Sequence, residues 1–314
     1  MSRRIVEIDS LRGLAAFGVA FGFHANYFLD VPMLPWVAER GWTLVDLFFV
    51  ISGYIFAHLY SANMPDGRTF AIRRFARLYP LHIAMFVLTA LLLSFLPPLE
   101  PKPSASSFPF ALLNVVMLQE LGIVRNFNVP AWSVSVEVYC YAVFFLAVRL
   151  RMLWPLAFVI VPGALLFTAV VPYLEDRVLR GLVGFFAGTL IWKFRPSIWF
   201  APLLAMAGLF LDPGPLNPGS FYAITLWPAV LIVALKLPQL GHSWLQWLGE
   251  RSYSLYLCHY PAMMALAAVG VPFPLMVPLI LALADRLYVL LEMPAQAAIL
   301  RHTRKSSVQP PVAS

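Results

Sequence analysis

Leu11 to Leu29 read LRGLAAFGVAFGFHANYFL, an apolar run with one imidazole, His24, well inside it. Apolar runs of about 17–25 residues have the length of a membrane-crossing helix. An ionisable side chain at that depth is costly unless it has a function or a partner. Arg3, Arg4, Glu7, Asp9 and Arg12 crowd the amino side of the run, and a second charged block, Arg73, Arg74 and Arg77, follows the next apolar stretch. A buried imidazole between clusters of fixed positive charge points to a membrane enzyme acting on an anionic substrate. A plain anchor would need none of these groups.

The rest of the chain agrees with a membrane setting. Of its 314 residues 61% are hydrophobic and only 12% charged, about half the charged fraction of a soluble domain. The net charge of +7 is read as the basic bias of cytoplasmic loops and not as a nucleic-acid footprint. Cys140 and Cys258 both lie in apolar runs; they form no metal-ligand spacing, so neither a metal site nor a disulfide framework is expected. The first apolar segment is long enough to span and carries His24, so it is read as a retained span, not a cleaved signal.

Further apolar runs put spans near 10–29, 41–60, 79–97, 130–148, 153–173, 179–193, 198–211, 220–235, 252–270 and 274–298. Phe108 to Leu121 is ambiguous, and the basic residues arbitrate. With 98–129 kept outside as a loop or re-entrant piece, 16 of the 22 Lys and Arg fall inside and 5 outside (Arg40, Lys102, Arg125, Arg177 and Arg180), with Arg286 within a span. Threading Phe108–Leu121 across the bilayer instead gives 10 inside and 11 outside. The positive-inside rule favours the first arrangement, and Pro97, Pro98, Pro101, Pro103 and Pro109 make the disputed piece a poor continuous helix. The expected fold is an all-α polytopic membrane protein of about ten transmembrane helices with both termini cytoplasmic. Residues 1–300 form a single integral membrane domain, and 301–314 a short basic cytoplasmic tail, expected to be disordered.

This topology sets depths. His24 lies about 14 residues into its span, roughly 20 Å from the cytoplasmic side at 1.5 Å per residue. Asp46, entering from the outer end of the second span, reaches a similar depth and could orient the imidazole. Arg74 and Arg77 are three apart and share a helical face; guanidinium forks suit phosphate oxygens, although the positive-inside rule alone accounts for such a block. Arg12 either snorkels to the interface or faces a cavity. Trp132, Ser133 and Glu137 open the fourth span, with Ser133 and Glu137 on one face. Ser252, Tyr256 and His259 form a polar stripe on the ninth. Asp285 and Arg286 on the last span are as well explained by an ion-pair network between helices, and Glu292 shares a face with Asp285.

Six stretches then stand in a familiar order: Ile8 to Ala15 (IDSLRGLA) with His24, Leu47 to Tyr54 (LFFVISGY), Arg73 to Pro80 (RRFARLYP), Trp132 to Glu137 (WSVSVE), Ser252 to His259 (SYSLYLCH) and Leu291 to Pro294 (LEMP). Together they make the chain resemble, over essentially its whole length, the acyltransferase-3 family of integral membrane O-acyltransferases. The resemblance implies transfer of an acyl group, acetyl first, from cytoplasmic acyl-CoA to a hydroxyl of a glycan, lipid-linked sugar or other small acceptor at the outer face. It makes the cell (inner) membrane the expected location.

It also implies an essential histidine at His24 and donor-binding arginines at Arg12, Arg74 and Arg77. The expected catalytic set is His24, Asp46 and Glu137. The donor, acyl-CoA, is assigned to Arg12, Arg74, Arg77, Ser252 and Tyr256, and the acceptor to Trp132 and Ser133. Some relatives carry an additional extracellular esterase-like domain; here the chain ends soon after its last span, so hand-over to a distant polymer would be direct or through a separate downstream transferase. The rival expectation is a transporter or flippase for an anionic or glycolipid substrate, which would consume no acyl-CoA. A second rival is a non-enzymatic membrane subunit whose polar stripes only lock helices together.

Overall fold

The computed structural model of the chain describes residues 5–28, 35–95, 108–121, 126–171, 177–214 and 216–306. Every regular element among them is helical. α1 (Val6–Phe17) continues without a break into a π-helical turn, Gly18–Phe23, and a 3-10 turn, His24–Tyr27. There follow α2 (Pro35–Arg40), α3 (Leu44–Tyr60), α4 (Gly67–Phe95), α5 (Phe108–Val115), α6 (Ala131–Arg149), α7 (Leu153–Val170) and α8 (Arg177–Phe194). After these come α9 (Phe200–Phe210), α10 (Pro218–Ile224), α11 (Leu226–Ala234), α12 (Ser243–Glu250), α13 (Ser252–Ala268), α14 (Phe273–Leu287), a second π turn (Tyr288–Glu292) and α15 (Met293–Ser306).

Among the described residues four helical stretches are long and apolar enough to cross a membrane: Trp36–Tyr60, Gly67–Phe95, Ala131–Arg149 and Phe273–Arg301. Leu153–Phe167, Phe200–Phe210 and Pro218–Ala234 are apolar but shorter. The sequence-based spans coincide in position with helices, yet several are broken. The first changes winding at Gly18, and the eighth is interrupted at Thr225, whose φ of −119° and ψ of −85° end α10. The outward side chains include Leu91, Phe95, Val159, Leu166, Leu203 and Phe210, and Phe95 is 84% exposed. So large an apolar exterior marks a membrane-facing surface.

The disputed region is only partly described, since 98–107 and 122–125 lie outside the described residues. What is described of it is a short helix: α5 has eight residues, about 12 Å long. The His82 ring donates to the Asn114 carbonyl (2.7 Å) and the Gln119 amide to the Ala131 carbonyl (3.0 Å), tying this piece to α4 and α6. At the other end, α15 runs to Ser306, into the stretch expected to be a disordered tail; 307–314 lie outside the described residues. Before α4, the Asp66 carboxylate accepts from the Thr69 amide at 3.0 Å. That bond caps the helix, and the Thr69 hydroxyl together with this amide holds the exposed carboxyl below its ordinary range.

Close packing rests on glycines. A methyl at Gly53 would run into the Phe185 carbonyl, and one at Gly188 into the Val50 carbonyl. α3 and α8 therefore touch backbone to backbone, as small residues permit in membranes. Gly13 and Gly249 do the same for α1 and α12, which fixes the height of the neighbouring Arg12. Gly188→Ala is expected to cost about 1–3 kcal/mol through overpacking and to lower the thermal midpoint in detergent. Gly163→Ala, where an added methyl meets nothing within 4 Å, is the control and should be neutral or slightly stabilising. Equal midpoints for the two variants would remove the close crossing from the account.

Candidate functional site

Polar side chains from α1, α3, α4, α6 and α13 gather in the interior in three groups. The first lies where the π turn of α1 ends. His24 is 7% exposed, His259 on α13 is fully buried, and His24 Nδ1 meets His259 Nε2 at 2.8 Å. The ring centroids are 5.0 Å apart and the planes differ by 23°. His24 also faces the edge of Tyr260 at 5.4 Å. π turns inside α-helices are rare and concentrate at functional sites.

The second group lies one turn down α13. Tyr256 Oη and Ser133 Oγ are 2.8 Å apart, and the Tyr256 ring packs between Phe48 and His259. Ser133 also donates to the Pro130 carbonyl at 3.2 Å, and the Asn128 amide donates to the Leu257 carbonyl at 2.9 Å. The start of α6 is thus sunk into the protein beside α13. Next to it, Arg180 lies between the faces of Trp42 (4.4 Å) and Trp132 (5.1 Å). Its Nε donates to Asp46 Oδ1 at 2.5 Å.

The third group surrounds the arginines. Arg74 donates to Tyr60 Oη at 3.2 Å and lies over Phe56, Phe70 and Tyr141. Arg77 lies over Tyr253 at 5.3 Å and is ion-paired to Glu292, a buried carboxylate that also accepts from Ser254 Oγ at 2.6 Å. Glu137 accepts from Ser52 Oγ at 2.8 Å and from Tyr141 Oη. Arg12 is close enough to act electrostatically on Arg77 and Tyr141. Arg12 and His24 are twelve positions apart along α1 and its π turn, at most about 18 Å at the α-helical rise.

Several sequence-based pairings change. His24 takes His259 as its partner, while Asp46 is bound to Arg180, because a buried carboxylate finds its strongest partner in a guanidinium. Glu137, expected beside Ser133 at the outer mouth, bonds instead among the arginines: four residues of helix put it one turn further along α6. Tyr256, expected with the donor, holds Ser133, which was expected with the acceptor. Ser252 is buried with no hydrogen-bond partner for its hydroxyl among the described residues. Arg77 has a resident carboxylate and is not a free fork. Arg73 is exposed, as expected of a plain interfacial charge. Asp285 accepts from Arg251 Nε at 2.6 Å, a structural ion pair between helices, and so parts company with Glu292.

A family profile described as an acyltransferase domain matches residues 5–284. The chain belongs to the acyltransferase-3 family. It is 34% identical over 172 residues to the acyltransferase MdmB of Streptomyces mycarofaciens, covering 49% of this chain and 44% of that one. It is 27% identical over 319 residues to the peptidoglycan O-acetyltransferase OatA of Listeria monocytogenes, covering 83% of this chain and 50% of that one. The chain thus spans about half the length of these curated relatives. No solved structure matches it.

Within this acyltransferase-3 chain, sequence reasoning missed four contributors to the site. Arg180 was counted as an outer-loop charge although it is 8% exposed. Its signal was available: an arginine one turn into an apolar helix. Ser52 and Ser254 carried no charge to draw attention. His259 was placed on a polar stripe without a partner, since nothing in spacing joins residues 235 positions apart.

Proposed function

We propose that the protein is a multi-pass O-acyltransferase of the cell (inner) membrane. It takes an acyl group, acetyl first, from cytoplasmic acyl-CoA and delivers it to an acceptor hydroxyl presented from the outer side. The observation that carries this reading is a buried histidine, His24, hydrogen-bonded to His259 and at most about 18 Å of helix from an arginine set. Ten crossings with both termini cytoplasmic put Arg12, Arg74 and Arg77 near the inner surface, consistent with the asymmetry of the basic residues. The arginines then hold the phosphates of the donor. The polar column of Tyr253, Ser133 and Tyr256 leads from them to His24, where the thioester is presented.

In the transfer step the acceptor hydroxyl oxygen bonds to the thioester carbonyl carbon while His24 takes the hydroxyl proton. Collapse of the tetrahedral oxyanion breaks the carbon–sulfur bond. The thiolate leaves and takes the proton from His24, so the products are an O-acyl ester and free CoA thiol. Neither Asp46 nor Glu137 bonds to His24. We assign Asp46 to balancing Arg180 and Glu137 to ordering the arginine chamber. Trp132 remains the acceptor contact, while Ser133, bonded to Tyr256, lines the donor path. OatA is named a peptidoglycan O-acetyltransferase, and a glycan hydroxyl is the acceptor class we carry to this chain.

Sealed vesicles of both orientations test donor and side together. Inside-out vesicles should release free thiol from added acetyl-CoA, whereas right-side-out vesicles should do so only after permeabilisation. Thiol release by neither, with the protein folded, would favour the transporter reading. Equal release by both before permeabilisation would remove the separation of donor and acceptor sides.

A further inference from the structure

The two histidines have a direction. His259 Nδ1 lies 3.2 Å from the Leu255 carbonyl oxygen one turn back on α13. A carbonyl only accepts, so His259 Nδ1 carries a hydrogen. Fully buried, and with no carboxylate among its hydrogen-bond partners, the His259 ring would be an uncompensated charge if it carried a second one. Its Nε2 is therefore a lone pair, and the hydrogen in the 2.8 Å contact belongs to His24 Nδ1. The centroid separation exceeds that contact by nearly a ring's width, so the rings meet edge to edge, as an N–H···N bond requires. His24 is left with its Nε2 lone pair; its hydrogen bond among the described residues is the one through Nδ1.

We infer that His259 is a positioning residue: through the Leu255 carbonyl it fixes His24 as the Nδ1–H tautomer and aims the Nε2 lone pair at the acceptor hydroxyl. The inference deepens the transferase reading above and rests on it. The device is a backbone carbonyl, an imidazole and a base in series. It does for His24 what a carboxylate partner would do, without adding a negative charge beside a forming oxyanion. It also accounts for Asp46 being free to serve Arg180.

The test uses the full chain in detergent, labelled with 15N-histidine. Nitrogen shifts distinguish the two neutral tautomers, and subtraction of a His24→Asn spectrum assigns the His24 signals among the six histidines. The wild type should show His24 as Nδ1–H. His259→Leu keeps the bulk but removes the acceptor; it should shift His24 towards Nε2–H and lower transfer by about 10²-fold, the lower end of what a general base contributes. His259→Gln places an oxygen where Nε2 stood and should restore both the tautomer and most of the transfer. His259→Asn is one carbon too short and should not.

A purely structural role predicts that Gln and Leu behave alike in transfer when their melting points match, and that result would overturn the inference. So would an Nε2–H signature for His24 in the wild type, even with His24→Ala inactive; the base assignment would then survive alone. Conversely, an Nδ1–H signature in a protein whose His24→Ala variant still transfers would bring down the transferase role of His24.

Discussion

His24→Ala is expected to lower acyl transfer by about 10²- to 10⁴-fold, the usual worth of a positioned general base, while leaving a folded protein in the membrane. The histidine makes one hydrogen bond, to His259. Its loss leaves a single buried acceptor unpaired, a cost of about 1–3 kcal/mol. His24→Asn sharpens the experiment. Its amide nitrogen can stand where Nδ1 stood and donate to His259, but nothing replaces the Nε2 lone pair. The asparagine variant should therefore melt closer to the wild type than the alanine variant does, yet be equally inactive. Thiol release from acyl-CoA and a thermal melt on the same preparations decide the matter. Substantial transfer by the asparagine variant would show that the proton leaves by another route.

Glu292→Ala is expected to cost stability more than any other single polar change in the arginine chamber, about 3–5 kcal/mol. Removing one partner of a buried ion pair leaves the other as an uncompensated charge. Glu292 is 2% exposed and takes Arg77 on one oxygen and Ser254 on the other. It joins the end of the last long span to α4 and α13. Replacing both partners, Arg77→Met with Glu292→Met, should recover much of that loss, since apolar pairs of similar volume often match buried ion pairs. Recovered stability would not recover donor binding if Arg77 holds phosphate. The double variant should then be stable and bind acyl-CoA poorly, as measured by direct titration. Wild-type affinity in the double variant would take Arg77 out of the donor site and leave it a structural residue.

Segment positions and helix faces were legible from sequence; the partners between segments were not. Apolar length located each helix, and three-residue spacing put Arg74 and Arg77 on one face of α4; that both meet aromatic rings there was not foreseen. Periodicity says which residues share a face but not which helix that face meets. Ser133 and Glu137 share a face, yet one bonds to Tyr256 on α13 and the other to Ser52 on α3. Charge counting failed at Arg180, because it treats every arginine at a helix end as solvated. There a pair of tryptophans and a carboxylate draw the guanidinium inward instead. The two π turns were invisible, since their sequences, GVAFGF and YVLLE, are ordinary apolar helix.

Those two turns make the molecule sensitive to helix winding in a way that composition does not reveal. Each is a helix carrying one residue more than its turns need, and each delivers a polar side chain, His24 or Glu292, at its end. Deleting one residue from Gly18–Phe23 would relax the segment to ordinary α-helix and leave the parts beyond it facing much as they do now, whereas rewinding it as α-helix at its present length would swing them by about 100°. His24 would then turn away from His259 with no side chain altered. The gap between Arg12 and His24 is therefore an angular setting as much as a distance. In aligning this chain with relatives whose first helix is regularly wound, a one-residue gap between those positions is the structurally correct pairing.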